Sequence, residues 1–329
     1  MAAALMWALV IILLFFRRRR SSRTVTYSAV AIALSMTLNI DTLYVPFDRF
    51  LGGTNWGDLL ANIALMVGIF FLGRGVTAAY DFSNIVTRLA LGRGVLTVAL
   101  AGVVISFMLI DHAHTSTQFM LDFGSQPAAA VYSILQYVYY GVVVGAMGWI
   151  CLDQQRSATG SLRASVTSLA AGSGLAIIAC AVVITMDLSH VTGDLALMNV
   201  MRLFYGPSYV GAIALLCFGL ALPPAARWTR NTARLQVTKR YIKLLTPSWE
   251  AAAAQRPTAT RLGSITRQAE NPEQLLHRQV VEIRDATIDP RSGFALDERA
   301  ATIIDRAEAH LLAGDRVRAP RARAVRPAT

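Results

Sequence analysis

The chain has 329 residues, of which 54% are hydrophobic and only 16% charged. An ordinary soluble domain carries about 25% charged residues, so the composition excludes a water-soluble globule and points to an integral membrane protein. Of its 31 Lys and Arg, 19 follow Pro224, with 11 of the 20 Asp and Glu, which predicts a membrane region followed by a basic soluble one.

Seven apolar stretches are long enough, or nearly so, to cross a hydrocarbon core. They lie at Ala2–Phe16, Val25–Val45, Trp56–Leu72, Val95–Ile110, Ala128–Leu152, Val166–Met186 and Pro207–Leu222. The first carries no charge and is followed by Arg17, Arg18, Arg19 and Arg20. A signal peptide has the opposite order, charge before its apolar core. An uncleaved first helix with an external N-terminus is therefore expected. Seven alternating spans then place Arg17–Arg20, Arg23, Arg74, Arg88, Arg93, Arg156 and Arg163 in cytosolic loops, against Arg49 and Arg202 outside. That is the asymmetry of the positive-inside rule. The expected fold is all-α: a seven-helix transmembrane domain over residues 1–222, multi-pass in the inner membrane, with the C-terminus cytosolic.

No span carries Lys or Arg at its middle, which excludes a voltage-sensor pattern. Asn39 and Asp41 fall near the outer end of the second span and Asn62 in the outer half of the third. The fifth contains Tyr132, Gln136, Tyr137, Tyr139 and Tyr140. Polar atoms at such depth must pair or face water. Asn39, Asp41, Asn62 and Gln136 are accordingly either inter-helix hydrogen-bonding groups or the lining of a polar cavity reached from outside. Ser168, Gly172 and Ala176 in span six, and Gly211 and Gly219 in span seven, have the spacing of close helix contacts. The string Leu72-Gly73-Arg74-Gly75-Val76 recurs as Leu91-Gly92-Arg93-Gly94-Val95, as paired anchors at the boundaries of two spans.

Cys151, Cys180 and Cys217 all lie in apolar stretches and form neither a disulfide framework nor a zinc module. His112 and His114 follow span four with Asp111; His190 follows span six with Asp187 and Asp194. Imidazole with carboxylate is metal-ligand chemistry, so these three histidines are the metal candidates. However, His112 and His114 are two residues apart and would not share a helix face, and polar loop residues explain all three as well. Walker, HExxH, GxSxG and dinucleotide-binding motifs are missing. No enzyme and no cofactor is expected.

Residues 223–314 read as a cytosolic helical domain. From Arg227 to Leu245, basic residues alternate with Trp228, Leu235 and Ile242, a pattern that suits anionic lipid headgroups. Thr246-Pro247 offers a cap and first-turn proline for a helix through Trp249. Asn271, Pro272 and Gln274 form a helix start, and Leu276, Val280 and Ile283 follow at helical spacing. A last helix is expected over Asp297–Leu312. The Arg-rich residues 315–329 should be disordered, and their charge alone does not call for nucleic acid.

Pro247-Ser248-Trp249-Glu250-Ala251, followed by Leu276-His277-Arg278-Gln279-Val280-Val281-Glu282-Ile283-Arg284-Asp285, resembles the cytosolic domain that ends an actinobacterial family of multi-span membrane proteins. Members of that family are labelled transporters by convention. The resemblance implies a multi-span architecture with a cytosolic helical domain and supplies no catalytic residues. Three functions are weighed: a transporter with a regulatory or coupling domain; a seven-helix receptor or signalling anchor recruiting a cytosolic protein; and, least supported, a metal-dependent lipid hydrolase. The expected interaction surface comprises Trp249, Leu276, Arg278, Val280, Glu282, Ile283, Arg284 and Asp285. The expected partners are the bilayer, its anionic headgroups and a cytosolic protein.

Overall fold

The computed structural model describes residues 2–15, 23–80, 85–111, 114–255, 271–290 and 292–318. Arg17–Arg20, His112 and the tail beyond Arg318 lie outside the described residues. Those described are helical with no strand. The helices are α1 (Ala2–Phe15), α2 (Arg23–Leu38), α3 (Asp41–Phe50), α4 (Trp56–Tyr80), α5 (Ile85–Ala90), α6 (Arg93–Met108), α7 (Phe119–Phe123), α8 (Pro127–Gln155), α9 (Gly160–Thr192), α10 (Leu195–Ala254), α11 (Pro272–Ile288) and α12 (Glu298–Arg318). They group into two compact units, Met1–Ala226 and Arg227–Thr329.

Four helices, α4, α8, α9 and α10, are long and apolar enough to cross a membrane. The pair α2 and α3 makes a fifth if it is taken as one span, while α1 and α6 are shorter apolar helices. Phe15, Val98, Trp149 and Leu203 project outward on these helices, as the side chains of a lipid-facing surface do. These are the helices of a membrane protein.

The second apolar stretch is not one helix. It bends by 87° between Leu38 and Asp41. The Asn39 amide donates to the Ser35 carbonyl at 3.1 Å, a local bond that competes with helix continuation. Ile40 is extended (φ −89°, ψ 120°) and Asp41 opens the first turn of α3, where a carboxylate suits the helix N-terminus. The third stretch runs eight residues past its expected end, to Tyr80, so the first Leu-Gly-Arg-Gly-Val copy lies inside α4. The second copy does start a helix, with Gly92 as the cap of α6. The copies meet: a Cβ on Gly73 would stand 2.6 Å from Leu91.

Small residues set the helix contacts. A Cβ on Gly68 would stand 2.7 Å from Ile32, and the Ser28 hydroxyl donates to the Gly68 carbonyl at 2.6 Å, so α2 and α4 nearly touch backbones. On α9 and α10, Gly219 packs on Leu169 and Gly172 on Leu216. Pro223 was expected to lie beyond the last span, yet α10 continues through Pro223 and Pro224. A proline removes the bond to the carbonyl four residues back, here that of Gly219. Ser165 on α9 supplies the missing donor, with its hydroxyl 2.6 Å from that oxygen.

The second unit is built from α10 after Arg227, α11 and α12. Thr246 and Pro247 do not start a helix: they lie inside α10, where the Thr246 hydroxyl bonds back to the Ile242 carbonyl at 2.7 Å. The α11 start is a capping box, Asn271 accepting from the Glu273 amide and Gln274 from the Asn271 amide. Leu245, Trp249, Leu276, Val280, Ile283, Ile304 and Ala307 form one core. Trp249, Leu276, Val280 and Ile283 are thus buried inside the unit rather than presented to a partner. Arg278 and Trp249 both donate to Glu282, at 2.9 and 2.5 Å. Arg284 ties α11 to Glu308 and Asp305 of α12. The last helix continues through Gly314 to Arg318, where disorder was expected from Asp315. A glycine in a helix interior costs only about 1 kcal/mol against alanine.

His310 stands between Thr238, whose hydroxyl lies 2.9 Å from Nε2, and Arg234, which donates to its carbonyl. Burial, then the Arg234 charge, holds its pKa below the usual histidine value, with Glu273 opposing. The folded unit therefore favours the neutral ring. As pH falls below about 6.5, the unfolded chain takes up the proton first and stability falls. Protection factors in α11 and α12, corrected for the intrinsic pH dependence of amide exchange, should be lower at pH 5.5 than at pH 7.5, and His310→Gln should reduce that difference. An unchanged difference in the variant would assign it to other groups.

Candidate ligand cavity

Asp58 occupies the first turn of α4, and Asn62 lies one turn on, on the same face. Tyr132 reaches them from α8. Its hydroxyl donates to Asp58 Oδ2 at 2.8 Å, and the Asn62 amide donates to both that oxygen and the Tyr132 oxygen at 3.0 Å. Two neutral donors thus converge on one carboxylate oxygen. No ion pair forms with Asp58 among the described residues, so its negative charge has no cation beside it.

This triad lines a cavity of about 460 Å³. Asn39, Gln136 and Ser35 also line it, with Tyr137 of α8 and Tyr205 and Tyr209 of α10. Among the described residues, Asp58 is the only acid of the lining, and no Lys, Arg or His contributes. Gln136 Nε2 and Ser35 Oγ are buried there without a hydrogen-bond partner, and both side chains are at least nine-tenths buried, at 3% and 0% exposure. Tyr205 stacks on Tyr209 at 5.5 Å, and Tyr137 meets Tyr140 edge-on at the same distance.

Of the four polar residues picked from the sequence, Asn39, Asn62 and Gln136 line this cavity. Asp41 does not; it is exposed on the first turn of α3. Asp58 and Tyr132 carry the hydrogen bonding instead. The missed signal was the Asp58–Asn62 pair, two polar residues four apart in the otherwise apolar first half of α4.

Asp48, the other acid of α3, is fully buried and structural. It accepts from the Asn55 and Gly57 amides at 3.0 and 2.9 Å and from the Thr115 hydroxyl at 2.7 Å. Asn55, in the left-handed region at φ 63°, accepts from Tyr44 and the Ser116 amide and donates to the His114 carbonyl. Together they fasten α3 and the turn after it to the segment before α7.

The His114 ring packs on Phe123 at 5.6 Å, and His190 Nδ1 would stand 2.6 Å from a Cβ on Gly124. Both histidines therefore sit against the same turn. Asp194 caps α10, accepting from the Leu197 amide at 3.0 Å. Among the described residues no three His, Cys, Asp or Glu gather as a metal set. Comparison with family models, curated proteins and solved structures yields no match.

Proposed function

We propose that the chain is a membrane transporter whose substrate site is the Asp58–Tyr132 cavity, with the Arg227–Thr329 unit as its cytosolic regulatory or coupling domain. In this reading the four long helices, the bent α2–α3 pair, α1 and α6 make seven crossings in the inner membrane. The N-terminus is outside, and the arginine asymmetry sets the orientation. The exposed Lys239, Arg240 and Lys243 of α10 would meet anionic headgroups. The observation that carries the reading is a chamber with a charged group and unpartnered polar atoms inside an apolar helical unit. Polar groups in such a place are costly unless function keeps them.

A transporter must open this chamber to both sides in turn, whereas a receptor opens it to one. Cys151, Cys180 and Cys217 are buried and can be replaced by Ala to clear the background. Asn62→Cys should then react with a membrane-impermeant maleimide both in intact cells and in inside-out vesicles. Labelling from one side alone would reject transport and favour the receptor reading.

A further inference from the structure

We propose that the cavity receives a small organic ammonium ion carrying an apolar group about the size of a benzene ring. This rests on the same cavity being the ligand site. It adds the chemical class of the ligand, which two further features of the lining determine.

The first is charge. Asp58 brings a carboxylate, and no cationic side chain among the described residues shares the chamber. Tyr132 and Asn62 both donate to Oδ2, while Oδ1 accepts from no described residue. A charge without a counter-ion in such surroundings carries a large penalty, and a bound ammonium ion removes it. An anion would meet like charge. Phe119, Tyr132, Tyr137, Tyr205 and Tyr209 add aromatic rings, whose faces attract ammonium groups within about 6 Å.

The second feature is a side chamber. Met36, Leu65, Tyr137, Tyr205 and Tyr209 line the polar chamber and also a second cavity of about 140 Å³. The two therefore adjoin, with those five side chains at their shared boundary. The walls of the second are almost entirely apolar, including Ile32, Ile69, Ala176, Ala179, Ile213 and Leu216. An apolar cavity of about 150 Å³ stays dry and accepts benzene, so this limb suits one ring and little more. The cation belongs at Asp58 and the ring beyond the tyrosines. Gln136 Nε2 and Ser35 Oγ remain for water or a hydroxyl beside the head group.

The test is calorimetric titration of the full-length protein in lipid nanodiscs with four probes: phenethylammonium, phenylacetate, phenethyl alcohol and methylammonium. Phenethylammonium should bind at least ten-fold more tightly than each of the others. The anion and alcohol keep the ring without the positive charge, and methylammonium keeps the charge without the ring. Asp58→Asn should weaken phenethylammonium at least ten-fold. Ala176→Leu, which narrows the apolar limb, should weaken phenethylammonium and leave methylammonium unchanged. Equal binding of phenethylammonium and phenylacetate, or no binding of phenethylammonium, would overturn the proposal without any variant. So would wild-type affinity in a folded Asp58→Asn. Two-sided labelling of Asn62→Cys without cation preference would remove only the ligand class. Cation preference with one-sided labelling would remove only transport.

Discussion

Val280→Asp is expected to unfold the Arg227–Thr329 unit while Met1–Ala226 stays inserted. Val280 is 4% exposed and packs among the seven buried residues of that unit's core. Helix α11 has 17 residues, little more than the roughly 12–15 below which an isolated helix is marginal in water. Its stability must come from the face that Leu276, Val280 and Ile283 bury. An unpaired carboxylate there costs several kcal/mol, against a total of about 5–15 kcal/mol for an ordinary domain. Hydrogen exchange on the full chain should show α11 and α12 losing protection while α8 and α9 keep theirs. Arg284→Ala is the contrast. Its pairs with Glu308 and Asp305 are partly exposed, and such pairs contribute about 0–1 kcal/mol. If Val280→Asp kept its protection in α11, the stripe would not be the core.

That stripe was readable because its signals are local. The cap at Asn271 and the apolar spacing after it need only residues within a few turns. The apolar stretches were readable for the same reason, since each helix must cover its own backbone polar groups in lipid. What stayed hidden depends on partners far along the chain. Pro223 looks like a helix end until Ser165 on α9, 54 residues before Gly219, takes that glycine's carbonyl. The break after Leu38 has apolar residues on both sides, so hydropathy runs straight through it. Likewise, Trp249 and Val280 read equally well as a docking stripe or a core. Only the presence of Ile304 and Ala307 across from them decides for the core.

The three acids Asp41, Asp48 and Asp58 show the same limit, because composition gives no reason to rank them. Asp58 matters through Tyr132, 74 residues away, and Asp48 through Thr115, 67 residues away. Asp41 has neither kind of partner and is exposed.

Asp48→Ala should therefore be far more damaging than Asp41→Ala. Removing the Asp48 carboxylate leaves the Asn55 and Gly57 amides and the Thr115 hydroxyl without their acceptor. Each buried donor so orphaned costs about 1–3 kcal/mol, so the three together cost about 3 kcal/mol or more. Asp48→Asn should recover little. One carboxamide oxygen can serve a single side of the site, and its NH2 would turn donors toward donors. Asp41, in contrast, contributes only its place at an exposed helix start, about 0.3–1 kcal/mol. The direct measurement is hydrogen exchange at residues 51–57 and 114–118 in the three variants, beside wild type. Asp48→Ala and Asp48→Asn should release both segments together, because the carboxylate is what joins them, and Asp41→Ala should leave both protected. Release of one segment alone would show that the Asn55 side chain, through Tyr44 and the Ser116 amide, holds the other without Asp48.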